Sequence, residues 1–160
     1  MAVRDALRRY PGQLLEVELD DGKYPAKQIA WWINAQKDEG RRPQHIQPAG
    51  GGGWDDVMLR SYALYQERCD RAGLVDFAEI LLRAHELLRD TPALLAHYRQ
   101  RFGELLVDEF QDTDPVQWEV FSRAFGEKGR SLILVGDPKQ AIYAFRGAEV
   151  NSYLEATQLP

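Results

Sequence analysis

Two short apolar runs, each ending in an acidic residue, constrain this chain more than any other feature. Leu105-Leu106-Val107 leads into Asp108-Glu109, and Leu132-Ile133-Leu134-Val135 leads into Gly136-Asp137. Each run is too short for a helix and has no polar residue on either face, the pattern of a parallel strand buried on both sides. Between them Asp114-Pro115 starts a helix that runs to about Phe125, since Asp caps the first N–H groups and Pro suits the first turn. A strand, helix and strand in this order form a right-handed crossover. The expected fold class is therefore α/β, with acidic groups at the carboxyl ends of the strands, where open α/β sheets place their ligands.

The first half of the chain reads differently. Pro25 suits the first turn of a helix ending at Gly40, with Ile29, Trp32, Ile33 and Gln36 at helical spacing. The spacing predicts a second helix over Trp54 to Ala72, with Val57, Tyr62, Tyr65 and Cys69 on one side and Gly73 as its stop. Asp76 with Glu79 forms a capping-box-like start for a helix from Phe77 to Leu88, and Thr91-Pro92 starts another to about Phe102. The four glycines Gly50 to Gly53 read as a flexible connection between helical segments. They are not a phosphate loop: the only Gly-Lys pair, Gly22-Lys23, runs into Tyr24 rather than Ser or Thr.

Charge follows the same division. Residues 1–53 carry 8 basic and 7 acidic groups, and residues 54–160 carry 12 and 18, for a net −5 over 160 residues. No global positive field draws the chain to nucleic acid, so DNA contact has to be local. A single cysteine, Cys69, excludes an intrachain disulfide and any cysteine-cluster zinc site, and within a helix it reads as a small buried residue. His45, His85 and His97 lack metal-site or triad companions and read as surface or satisfied, partly buried histidines. Apolar runs such as Ile29 to Ile33 are far below a membrane span, which implies a cytoplasmic chain with no membrane partner.

An apolar strand delivering Asp108 and then Glu109 has the form of a nucleotidase metal site. One carboxylate enters a Mg²⁺ shell and the next reaches an attacking water. As a pentapeptide the pattern is weak, because acidic residues at a strand end are often merely solvated. The longer strings are specific. Asp108-Glu109-Phe110-Gln111-Asp112-Thr113-Asp114, followed by Val135-Gly136-Asp137-Pro138-Lys139-Gln140-Ala141-Ile142-Tyr143-Ala144-Phe145-Arg146-Gly147-Ala148, closely resembles motifs II and III of the UvrD/Rep/RecB group of superfamily 1 DNA helicases. Tyr24 to Gln28, Ile33 to Gly40 and Cys69 to Glu79 look like the helical 1B insertion of that group and its return into the first motor domain. Gly136 to Gln140 with Phe145 looks closer to the RecB side.

The resemblance implies a helical 1B-like lobe over residues 1–73 and a partial RecA-like P-loop NTPase layer over 74–160. It implies that Asp108 holds Mg²⁺, that Glu109 polarises the hydrolytic water, and that Gln111 and Gln140 sense the γ-phosphate of ATP and couple it to DNA. Tyr143 and Phe145 would line the single-stranded DNA path, Phe145 by stacking on a base. Arg146 would steady the acidic motif or reach a phosphate. Lys37, Arg41, Arg42 and His45 form a local basic group that either touches duplex phosphate or is a solvated helix terminus.

The 160 residues contain no Gly-Lys-Ser/Thr loop, so the chain is expected to be a fragment, inactive alone, of a motor completed by further helicase domains or a companion chain. The rival is a truncated, non-enzymatic module that binds DNA or a partner. A simple ATPase has no use for Tyr143 to Ala148.

Overall fold

The computed structural model describes residues 26–126, 130–137, 139 and 156. The fold is α/β: mostly helical, with one two-stranded parallel sheet. The chain divides into two compact units, one holding residues 26–37 and 41–76 of the described chain, the other 38–40 and the described residues from 77 onward.

The helical unit is built on α1 (Ala26–Asp38) and α2 (Trp54–Ala72), with a short 3₁₀ turn at Pro43–His45. α1 buries Ile29, Ile33, Gln36 and Lys37, a stripe at helical spacing. Facing side chains from α2, chiefly Met58, Tyr62, Tyr65 and Cys69, complete one core with Ile29 and Ile33. Trp32 meets the edge of Tyr62 at a ring separation of 6.4 Å. α2 ends as its sequence predicts: Gly73 takes φ 64°, and the next N–H, on Leu74, reaches back to the Cys69 carbonyl at 2.9 Å.

The glycine run is more than a loose connection. Gly50, Gly51 and Gly52 have φ of 76°, 92° and 73°, left-handed backbone that residues with a Cβ rarely adopt. The Asp56 carboxylate accepts from the N–H groups of Gly50 and Gly52 at 3.2 and 2.8 Å, which ties the run to the first turn of α2.

The second unit holds α3 (Phe77–Asp90), α4 (Pro92–Arg101), β1 (Glu104–Val107), a 3₁₀ turn at Phe110–Asp112, α5 (Pro115–Phe125) and β2 (Ser131–Leu134). β1 and β2 pair in parallel, Glu104 opposite Ser131 through Val107 opposite Leu134, and α5 is the crossover. The start of α5 is fixed by a reciprocal cap: Asp114 Oδ1 accepts from Gln117 N–H at 2.7 Å, and Gln117 Oε1 accepts from Asp114 N–H at 3.2 Å. Ahead of α3 and in its first turn, Asp76 Oδ2 receives Lys37 and Tyr65, and Glu79 Oε1 receives Arg83 four residues on.

The strands correct one expectation. They are covered on one face only: Leu105, Val107, Leu132 and Leu134 are half-buried, while Leu106 is 61% exposed and Ile133 47% exposed. Leu105 faces an apolar cavity of about 400 Å³ shared with Leu88 of α3, Tyr98 of α4 and Phe121 of α5. An all-apolar strand marks two faces that could be buried, and the helices described here cover one of them. No helix among the described residues is long and apolar enough to cross a membrane.

Candidate functional site

β1 delivers its acidic pair at the carboxyl edge of the sheet. The parallel ladder continues one step past the strands, as Val135 N–H donates to the Val107 carbonyl at 2.8 Å and Phe110 N–H to the Val135 carbonyl at 2.9 Å. For Phe110 to make that bond and also turn its ring into the core, the chain has to reverse sharply at Glu109. Glu109 does so in left-handed backbone, φ 52° and ψ 39°, and is the only non-glycine residue with positive φ among the described residues. Such a conformation in a residue with a Cβ is held by its surroundings and is found disproportionately at functional sites. The surroundings here are identifiable: Phe110 is buried edge-on against Trp118 at 5.4 Å, and Asp112 N–H donates to the Glu109 carbonyl at 2.9 Å.

Asp108 and Glu109 are both exposed. Asp108 Oδ1 accepts from Glu109 N–H at 2.9 Å, and its Oδ2 has no hydrogen-bond partner among the described residues. Gln111 is 7% exposed and bridges two segments. Its Nε2 donates to Glu109 Oε2, and its Oε1 accepts from Asp137 N–H at 3.0 Å. Asp137 Oδ1 in turn accepts from Lys139 N–H at 2.9 Å. Burial pushes the Asp114 carboxyl up from its ordinary value, against the lowering effect of the Gln117 and Val116 N–H groups.

Among the described residues no three His, Cys, Asp or Glu side chains cluster in a way that would enclose a metal ion. A lone carboxylate such as Asp108 nevertheless suits Mg²⁺, an oxygen-seeking ion that takes most of its shell from water and phosphate.

Of the residues singled out from sequence, Asp108, Glu109 and Gln111 come together here. Gln140, Tyr143, Phe145 and Arg146 lie outside the described residues. Gly136 and the Asp137 N–H were not singled out, although a glycine directly after an apolar strand is the available signal for a close backbone approach.

The basic group after α1 is corrected in part. Lys37 is no solvated residue: it is 1% exposed, 2.8 Å from Asp76 Oδ2, with the rings of Tyr65 and Tyr62 at 5.3 and 5.8 Å. Tyr65 Oη donates to the same Asp76 oxygen at 2.8 Å, and burial followed by that carboxylate pushes the Tyr65 hydroxyl well above its ordinary value. Cys69 is buried as expected, and burial pushes its thiol up. His45 Nδ1 accepts from Arg42 N–H at 3.2 Å, a local satisfied contact, and His97 packs edge-on to Tyr98.

A parallel β–α–β layer with carboxylates at the strand ends defines an open α/β protein whose ligand belongs beyond that edge. The chain matches the UvrD/REP helicase N-terminal domain over residues 4–159, and it belongs to that family. It is 49% identical over 148 residues, 92% of this chain and 20% of the relative, to DNA helicase II of Escherichia coli strain K12. Identity to ATP-dependent DNA helicase PcrA of Bacillus subtilis strain 168 is 31% over 150 residues, covering 94% and 20%. A shorter stretch of 89 residues, 54% of this chain and 8% of the relative, is 52% identical to the RecBCD enzyme subunit RecB of Mycolicibacterium smegmatis. The chain thus spans about a fifth of the length of the first two relatives.

Proposed function

We propose that this chain forms part of an ATP-dependent DNA helicase, in which ATP hydrolysis drives translocation on single-stranded DNA and duplex unwinding during repair or recombination in the cytoplasm. Residues 1–73 serve as the 1B-like insertion and 74–160 as part of the first motor domain. Asp108 holds the metal, Glu109 polarises the attacking water, and Gln111 with Gln140 reads the γ-phosphate. Tyr143, Phe145 and Arg146 meet the single strand. Mg²⁺ with ATP, when bound, supplies charge neutralisation on the phosphates. This chain's own part is to hold two carboxylates and an amide in fixed positions beyond the sheet.

The observation that carries this reading is the left-handed Glu109, anchored by a buried core aromatic on one side and by the Gln111 amide on the other. A carboxylate meant only for solvation has no need of such a backbone.

Asp108 and Glu109 act only on phosphates that are already held, and the 160 residues include no phosphate-cradling loop, so the isolated chain hydrolyses ATP negligibly. The test is Glu109→Gln in the full-length protein. ATP turnover should fall by roughly two orders of magnitude or more, in line with loss of a positioned general base, while nucleotide binding is retained. Turnover close to that of the unmodified protein would overturn the reading, as would turnover of about 1 s⁻¹ by the isolated chain, the low end for typical enzymes. In that case DNA or partner binding without hydrolysis becomes the better description.

A further inference from the structure

The bridge made by Gln111 depends on a residue that carries no functional group. A Cβ placed on Gly136 would stand 2.5 Å from Gln111 Oε1, 3.0 Å from Phe110 N and 3.1 Å from Gln111 N. Gly136 does not adopt left-handed backbone, so glycine is needed here for space rather than for conformation. Two of the three atoms in the way are main-chain atoms of the turn that holds Glu109, and Phe110 N–H is the donor that locks this turn to Val135, just past β2. They cannot swing aside as the tip of a flexible side chain would.

We propose that Gly136 is a positioning residue for Glu109: its missing Cβ lets the segment after β2 close onto the turn after β1, so that the Gln111 amide is gripped at both ends. Nε2 holds the Glu109 carboxylate and Oε1 is held by Asp137 N–H. An amide is planar and its two ends are coupled, so a shift of the 135–137 backbone is transmitted to the carboxylate. A methyl group at 136 would part the two segments, lengthen or break the Asp137 contact, and leave Glu109 with one restraint fewer. The inference rests on the proposed role of Glu109 and adds the device that aims it.

The test uses Gly136→Ala in the full-length protein, with and without Gln111→Met, a variant that keeps side-chain length and removes both polar contacts. Misplacing a reacting group by a fraction of an ångström to one ångström lowers kcat by roughly 10- to 100-fold, and that loss is expected for Gly136→Ala with the KM for ATP within about twofold. On the Gln111→Met background the same change should lower kcat by clearly less than it does in the parent, because the part carried by the Gln111 amide is already lost and only the main-chain contacts with Phe110 and Gln111 remain. An equal loss on both backgrounds would overturn the amide's part in the device. A KM that rises in step with the fall in kcat would overturn the inference in favour of general damage to nucleotide binding. So would a Gly136→Ala protein within about twofold of normal kcat; if Glu109→Gln still abolishes turnover there, the helicase reading stands and only the positioning role is lost. If Glu109→Gln itself turns over normally, both fall together. Should Gly136→Ala fail to fold, Gln111→Met alone decides: reduced kcat at constant KM supports the bridge, and unchanged kcat removes it.

Discussion

In the helical unit a lysine lies 1% exposed between two tyrosine rings, its charge met by Asp76, whereas in the α/β unit the carboxylates of Asp108 and Glu109 stand exposed at the end of a strand. Both arrangements carry charge at the end of a secondary-structure element, yet they serve opposite ends. The Lys37 ammonium is enclosed and meets the Asp76 carboxylate, which also takes the Tyr65 hydroxyl, so the pair is spent on contacts within the unit. The exposed pair is held in place by backbone and by one amide, with carboxylate oxygen still accessible. The proposed chemistry falls to the group that is restrained but solvated, and the most deeply buried group is committed to packing.

The comparison is tested most severely at Lys37. Lys37→Ala removes a buried charge partner from Asp76, which is 23% exposed and keeps the Tyr65 hydroxyl, and should destabilise the helical unit by about 2 kcal/mol, read by denaturant titration and by faster amide exchange in α1. The double variant Lys37→Met with Asp76→Asn should recover part of that loss, since a pair replaced together costs less than a pair broken. A Lys37→Ala protein as stable as the parent would mean that this charge is no more committed than those of β1.

A smaller effect is expected from His85 in α3. Burial lowers its pKa below the ordinary histidine value of about 6.5, Glu119 pulls the other way, and Arg89 and Arg123 add to the lowering. Its Nδ1 has no hydrogen-bond partner among the described residues. A depressed histidine takes up its proton more readily unfolded than folded. Its contribution is thus complete above about pH 6.5 and is lost as pH falls through that value towards the lower folded pKa. Melting temperature measured from pH 8 to pH 5 should drop along that limb, and His85→Leu should flatten it. An unchanged slope in the variant would assign the acid sensitivity elsewhere.

The smallest effect belongs to the uncovered strand face. With Leu106 61% exposed, Leu106→Ser should alter the stability of this chain by no more than about 0.5 kcal/mol. A loss several times larger would show that the face is covered after all.

Much of the fold was legible from local signals. The α5 cap at Asp114 and the Gly73 stop each depend on residues within about one turn of each other, and the parallel pair joins two apolar runs that each read as a strand on their own. Asp108 and Glu109 were equally readable, because a strand that ends in acids declares where they emerge. The burial of Lys37 was not: its partner Asp76 lies 39 residues away, and a lysine in the last turn of a helix ordinarily reads as solvated. Gln111 was singled out by the resemblance of its motif, but its grip on Asp137 N–H spans 26 residues, and the demand on Gly136 exists only once the two segments meet.

The passage of the chain between the two units gives the Lys37–Asp76 pair a further meaning. Unit boundaries fall after residues 37, 40 and 76, so the pair sits at one departure from the helical unit and at the other, acting as a clasp on an excursion of the chain. Fastened at its two ends by one ion pair, the stretch meets the entropy of its own closure inside the helical unit, through the pair and through the core that Ile29 and Ile33 share with Met58 and Tyr62.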